Sequence, residues 1–577
     1  MPHTLCLAHK LLILLFLVFC LPGCGGESSN SGGNDTGSNG TGGTNPDTTF
    51  FISPGGDDAN PGTLSQPFKT LEHAVQHVRS IRDQHPGEDI TYYLREGTHN
   101  LTSTLVLNIE DGARGDERVT FAGYQDEQAT ITSTRLLEGW QLATTDELPD
   151  SLQGLSGSVW VYQNPDIVSG KLRFNTMFRN GQRLPRAASR FLYATPFEDA
   201  QSTYRPITQE QIDSGKIYSS SVAEMVSEGI LGDPKFKPNE LCAYLFYHDD
   251  NLKQWDNLED IEVFLYTRGM WLQSIRGLKS VDEVNKRAFF NFPSKFSTDF
   301  SPLLHDYEYI AENALEFMDQ EGEWVVNTQT GKVYLMSANQ PVDIIVPTST
   351  EIIRVEGEVE GLKQDPNGFT EVPVRNITFS SLRFAYTNRY RWTEQDAGIH
   401  SEYDLYDVPA ALLRLRGADG VIIEESEFYH AGSSAIRLDL YAQNNTIVNN
   451  SIHDLGRGGI LLIGYPLGSK DVNRNNLVAN NHIYNIGQLE KNGMGIALVQ
   501  SGYNDVRHNL IHNTPFMGIA VLGHFRVQLR DHIEGNKPPV PEWDSNSSVT
   551  AFRSEAQKFS ELWSTYLHSE YISKCYF

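Results

Sequence analysis

The sequence predicts an all-β solenoid, a parallel β-helix with an N-terminal helix and an inserted β domain. Three observations lead there. The chain after Arg375 repeats: the apolar residues Phe384, Phe428, Ile452, Ile483 and Ile511 recur at intervals of 44, 24, 31 and 28 residues. A small residue followed by an aliphatic one keeps step with them, at Ala411-Leu412, Ala435-Ile436, Gly459-Ile460, Gly495-Ile496 and Gly518-Ile519. Between the marks lie short apolar runs broken by Asn, Gly and Asp, which is strand-and-turn content. Repeats of this size form stacked arrays, and strands rather than helices make the array a β-helix.

Residues 1–23 read as an export signal outside the fold. Lys10 precedes an apolar run, 11–21, that is too short to span a bilayer. Leu21-Pro22-Gly23-Cys24 resembles a bacterial lipoprotein processing box, which implies lipidation of Cys24. Residues 24–49 are mostly Gly, Ser, Asn, Thr and Asp, a composition that behaves as a flexible tether. Gly25 stands where such lipoproteins often carry an Asp for inner-membrane retention, so the resemblance implies a bacterial cell envelope protein held at the outer membrane. Of five cysteines only Cys242 and Cys575 follow the anchor, too few for a disulfide framework. No paired Cys/His spacing points to zinc, and no metal site is expected.

The body divides by rhythm. Residues 50–135 open with a strand, a Gly/Pro/Asp turn and a helix over 67–85, whose apolar stripe runs through Phe68, Leu71, Ala74, Val75, Val78 and Ile81. Strands follow at 91–94, 105–107, 119–122 and 129–132, with a turn at Glu96-Gly97-Thr98. Residues 136–350 lose the coil rhythm and read as an inserted, mainly β domain. Residues 351–525 carry the main coils, and 526–577 form a polar C-terminal segment in which 552–571 could be a terminal helix. Forty-six Lys and Arg against 73 Asp and Glu give a net charge of −27, which argues against a nucleic-acid partner. Residues 376–530, with 13 basic and 14 acidic side chains, are nearly balanced.

The repeat register makes further predictions. Asn450, Asn481 and Asn509 should stack as a ladder, and Tyr429, His453, Tyr484 and His512 beside it. Long insertions at 387–408 and 488–493 precede the small-aliphatic mark and should wall one groove, since insertions cluster on a solenoid's binding face. The first holds Tyr390, Trp392, Tyr403 and Tyr406 with Asp396, His400, Glu402, Asp404 and Asp407. Aromatic faces stack on pyranose rings, and carboxylates bond hydroxyls or act as acid and base. His430 and Asp454 fall at equivalent positions beside that side. Asp439 aligns with Ile463, Val499 and Leu522, and a charge in an aliphatic column needs a partner or a function. Arg437, two residues away on the same strand face, is either that partner or a substrate contact. The acidic turn Gly56-Asp57-Asp58 is read as a solvated turn in preference to a calcium site.

The strings FISPGGDDANPGTLSQPFKTLEHAV (51–75) and YYLREGTHNLTSTLVL (92–107) resemble the cap and first coils of secreted right-handed, pectin-lyase-like parallel β-helix proteins. Together with NGQRLPRA, ENALEFMDQEGEW, GRGGILLIG and HNTPFMGIAVLGH, they resemble glycoside hydrolase family 141 over most of residues 50–525. The resemblance implies a glycoside hydrolase acting on a complex plant- or algal-type polysaccharide through paired carboxylates. The alternatives are a polysaccharide lyase cleaving a uronate polymer, its uronate neutralised by a calcium ion or an arginine, or a non-catalytic glycan-binding lipoprotein. Register, not motif, selects the catalytic candidates Asp439, Asp454, Asp396, Asp404 and His430 and the substrate-binding candidates Tyr390, Trp392, Tyr403, Arg437 and His453. A monomer without cofactor, anchored to membrane and meeting a polysaccharide, is expected.

Overall fold

A computed structural model describes residues 46–190, 192–194, 244–267, 272–292, 307–361, 368–391, 406–465 and 470–522. Cys24, Trp392, Asp396, His400, Glu402, Tyr403 and Asp404 lie outside the described residues, as does 526–577. The described chain is a right-handed parallel β-helix of three faces. The first face runs Thr49–Ile52, Ile90–Leu94, Val119–Gly123, Ile377–Ser380, Ile422–Glu424, Thr446–Val448, Leu477–Ala479 and Asp505–Arg507. The second runs Gly97–Asn100, Ala129–Thr132, Arg383–Ala385, Glu427–Tyr429, Ser451–His453, His482–Tyr484 and Leu510–His512. The third runs Leu105–Leu107, Ile353–Glu356, Ala411–Asp419, Ser434–Gln443, Ile460–Ile463, Met494–Val499 and Met517–Leu522. Each coil visits the faces in that order.

Side chains alternate in and out along each strand, so every coil puts its period-two apolar set into one shared interior. Phe384, Phe428, Ile452, Ile483 and Ile511 pair in register, as the repeat predicts. Phe384 and Phe428 stack inside with centroids 4.7 Å apart. On the third face Ile436, Ile460, Ile496 and Ile519 also pair in register. The earliest mark differs from the expectation: Leu413, not Leu412, faces Ile436. Ala411-Leu412-Leu413 offers two adjacent aliphatics, and composition alone cannot tell which one points inward. At two of the marks the small member has a steric reason. A Cβ on Gly459 would stand 2.4 Å from the Gly495 carbonyl oxygen, and one on Gly495 2.4 Å from that of Gly518.

The corners repeat as strictly as the strands. His430, Asp454, Asn485 and Asn513 occupy one column of left-handed backbone, with φ of 55°, 54°, 52° and 52°. Glu425, Asn449, Asn480 and His508 form another, just before Ser426, Asn450, Asn481 and Asn509. There the expected ladder stands. Asn450 Oδ1 accepts from the Ser426 amide, Asn481 Oδ1 from the amide and side chain of Asn450, and Asn509 Oδ1 from those of Asn481. A second ladder, Asn445, Asn476 and Asn504, runs at the neighbouring corner. These amides satisfy turn N–H and C=O groups that would otherwise be buried unpaired.

The predicted helix forms at Leu71–Ile81 and buries Leu71, Ala74, Val75, Val78 and Ile81 in the same core as Ile52 and Tyr92, closing the first coil. Thr70 caps it by accepting from the His73 amide. Asp58 accepts from the Lys69 and Thr70 amides and the Thr70 hydroxyl, so the acidic turn fastens the helix start. The turn expected at 96–98 is instead the opening of strand Gly97–Asn100.

After Thr132 the chain leaves the coils for antiparallel sheets and rejoins them at Ile353. Ser133 Oγ and Thr348 Oγ1, 215 positions apart, meet at 2.6 Å across this neck. The excursion departs from the second face and returns on the third. Residues 386–391, 406–410 and 485–493 lie at that same corner, between the second and third faces. Replacing Asn481 by Ala should strand the Asn450 amide and the Ile447 carbonyl, costing about 2–4 kcal/mol. The expected result is a melting temperature several degrees lower, and an unchanged one would mean that the ladder does not tie the coils.

Candidate functional site

Because all three excursions share one corner, the side chains of that corner are the ones the inserted domain touches. The outward column of the second face is Tyr429, His453, Tyr484 and His512, stacked as predicted. Their centroids lie 5.8, 4.9 and 5.3 Å apart and their planes within 16°. Tyr429, His453 and Tyr484 are half-buried and His512 is exposed. One residue further on, the left-handed column brings His430 and Asp454 to adjacent coils, the equivalence read from the register.

His453 joins two carboxylates. Its Nδ1 lies 2.8 Å from Asp454 Oδ2 and its Nε2 3.1 Å from Glu427 Oε1. Burial disfavours the imidazolium, but these hydrogen bonds outweigh it and hold His453 above the ordinary histidine value. Burial pushes Asp454 up, and the bond to His453 with the charge of that imidazolium more than reverses this, leaving it below the usual carboxylate range. Glu427 is lowered by the same His453 bond and by Arg383, whose Nε is 2.5 Å from Glu427 Oε2. The result is two ionised, partly exposed carboxylates around a shared proton carrier.

The inserted domain supplies the wall. Phe178, on strand Met177–Arg179, packs against Tyr386 and His430 with centroids 4.9 and 5.5 Å away. Arg183, on Gln182–Leu184, donates to the carbonyls of Ala431 and Asp454 and to Gln488 Oε1. Gln488 in turn donates to Asp454 Oδ1 at 3.0 Å. Burial and the Arg183 charge push His430 down to about 4, so it is neutral near pH 7. Asn388 and Arg389 of the first insertion and Gln488 and Lys491 of the second all hydrogen-bond to the inserted domain.

The remaining predicted residues have other surroundings. Tyr390 is half-buried against Phe292, Val408 and Ala410, with its amide donating to Ser433 Oγ. Asp439 and Arg437 are both 0% exposed. Asp439 accepts from Arg414 Nε at 2.6 Å and Arg437 Nη2 at 2.8 Å. Arg414 also holds Glu351 at 3.0 Å and Asp407 at 2.6 Å. The odd charge in an aliphatic column is therefore the centre of a dry ion-pair cluster. With no open face, neither Asp439 nor Arg437 can meet a sugar in this arrangement.

The register reading passed over Glu427, Arg183 and Gln488. Glu427 carried a signal, an outward position in line with Arg383 and Ser451. Arg183 carried none, since only the tertiary contact brings it to Asp454. Among the described residues no group of three or more His, Cys, Asp or Glu side chains is placed to hold a metal ion.

The family described as right-handed β-helix region matches residues 404–532. The uncharacterized protein YwoF of Bacillus subtilis is 30% identical over 83 residues, 14% of this chain and 15% of that protein. The chain thus matches about a seventh of the length of this curated relative. Among solved structures, a glycoside hydrolase superposes with a TM-score of 0.49 at 17% identity, covering 81% of this chain and 88% of its own. A complex of XylC with xylose gives a TM-score of 0.38 at 14% identity, covering 82% and 60%. At these values the likeness carries no argument about chemistry.

Replacing Asp439 by Asn should leave Arg414 and Arg437 buried without their counter-charge and destabilise the protein by about 3–5 kcal/mol. Thermal or denaturant unfolding measures this. A fully stable variant would remove the cluster from the list of structural supports.

Proposed function

We propose that this chain is a carbohydrate-active protein of the glycoside hydrolase type, working at the corner between the second and third faces. One observation carries the reading: Glu427 and Asp454, both partly exposed, share the His453 imidazole inside a column of aromatic rings. The faces of Tyr429 and Tyr484 suit the C–H side of pyranose rings. An ionised Asp454 suits attack on an anomeric carbon or activation of water there. His453, carrying a proton between two carboxylates, orients both.

Arg183, which donates to the Asp454 carbonyl, and the ionised Asp454 carboxylate are a cation and a base of the kinds that β-elimination from a uronate requires, which makes a polysaccharide lyase the second reading. The protein meets its glycan at the bacterial cell envelope, tethered by lipidated Cys24 and residues 25–49. The Leu21-Pro22-Gly23-Cys24 sequence supports this placement.

Incubation with neutral or branched plant and algal polysaccharides should release reducing ends without ultraviolet absorbance from an unsaturated product. Asp454→Asn should lower that release about 100-fold or more with the fold retained. Growth of the unsaturated absorbance would select the lyase, and binding without either signal would leave a glycan-binding protein. For the anchor, Cys24→Ser should move the protein from the membrane fraction to the soluble one, and an unmoved protein would refute lipidation at this residue.

A further inference from the structure

The three parallel ladders end together. Asp505–Arg507, Leu510–His512 and Met517–Leu522 are the last strands of their faces, each paired with one neighbour only among the described residues. Their inward side chains are left open. Ile519 and Val521 pair in register with Ile496 and Leu498, members of the shared core. Ile496 is 0% exposed and Leu498 8%, whereas Ile519 is 43% and Val521 67% exposed. Val506 and Ile511 pack on the same core and are only partly buried. Burying such an aliphatic side chain fully is worth about 1.5–3 kcal/mol, and unpaired strand edges are templates on which other chains add. At the opposite end of the solenoid, helix Leu71–Ile81 covers the first coil.

A segment of matching pattern follows in the sequence, outside the described residues. Phe552, Ala556, Phe559, Trp563 and Tyr566 recur at intervals of 4, 3, 4 and 3. That spacing puts them on one side of a helix, with Arg553, Gln557, Ser560, Glu561 and Ser564 on the other. Thr550, of a residue type that caps helix starts, stands just before the run. The segment is joined to the open end itself, since residues 523–551 lead to it directly from strand Met517–Leu522. A flexible chain of that length spans about 30 Å, more than the roughly 20 Å of a six-residue strand. A sixteen-residue helix is about 24 Å long, enough to cross the end of a coil. Attachment also gives the segment an effective concentration that a separate chain lacks.

We propose that residues 552–567 form a helix whose apolar side seats on Ile511, Ile519 and Val521, closing the core at this end as Leu71–Ile81 closes the other. The segment of the same chain is the occupant, in preference to a second copy, because it carries the apolar stripe and starts beside the surface that needs it. Seated there, it also covers strand edges on which another chain could add.

Hydrogen exchange of the full chain, read by mass spectrometry, tests this. In the wild type, the amides of 510–522 and of 552–567 should both be protected, to an extent independent of protein concentration. Phe559→Asp combined with Trp563→Asp should speed exchange over 510–522 about 100-fold, because two aromatic side chains leave the seat. Ser560→Asp combined with Ser564→Asp, on the polar side, should leave it unchanged. Strands Ile422–Glu424 and Thr446–Val448 report whether the inner coils stay intact, and Trp563→Ala replaces the first variant if they open. Unprotected amides over 552–567 in the wild type, or protection of 510–522 that survives the apolar-side variants, would overturn the seat. Protection lost on dilution, as a dimer dissociates, would overturn it in favour of a second copy.

Discussion

Continuous parallel hydrogen bonding from coil to coil, on three faces at once, constrains everything else in this protein. Each strand must keep the rise of its neighbours, so an extra residue within a strand forces a register shift, as between Arg416 and Ala418. Long additions of chain therefore enter at corners. The asparagine columns Asn445–Asn476–Asn504 and Asn450–Asn481–Asn509 occupy the two corners flanking the first face, and their side-chain amides bond turn to turn. The remaining corner, after the second face, lacks such a column in the earlier coils and takes the inserted domain and both shorter excursions.

That geometry sorts the charges into two kinds. On the outer side of the third face, Arg414, Arg416, Arg437, Glu351, Asp407 and Asp439 neutralise one another in a dry layer. Such a cluster resists the loss of any one member more than it adds net stability. At the corner, by contrast, Glu427 and Asp454 keep some solvent contact, and His453 between them helps hold both below the usual carboxylate range. Buried and partly exposed charges thus sit on neighbouring surfaces of the same coils.

The interior was legible because its period is short and local. Phe384, Phe428, Ile452, Ile483 and Ile511 announced their register through spacing, and the Tyr429–His453–Tyr484–His512 stack followed from it. Asn445, Asn476 and Asn504 repeat at the intervals 31 and 28 of the first ladder, so the second ladder was equally visible and simply passed over. Asp439 was singled out correctly as anomalous, but a sequence cannot show that Arg414, one coil earlier, takes the same carboxylate as Arg437. Trp392, Tyr403, Asp396 and Asp404 fall outside the described residues, so their part in the site rests on the sequence alone.

The neck at Ser133 and Thr348 has a wider consequence. Closing a loop of 215 residues, rather than one of about 25, costs only about 2 kcal/mol more in chain entropy, because the penalty grows with the logarithm of length. A solenoid can therefore host an entire guest domain between two strands of one turn for little more than the cost of a modest loop. New walls, and with them new substrate preferences, can be grafted at that neck while the spine below keeps its spacing.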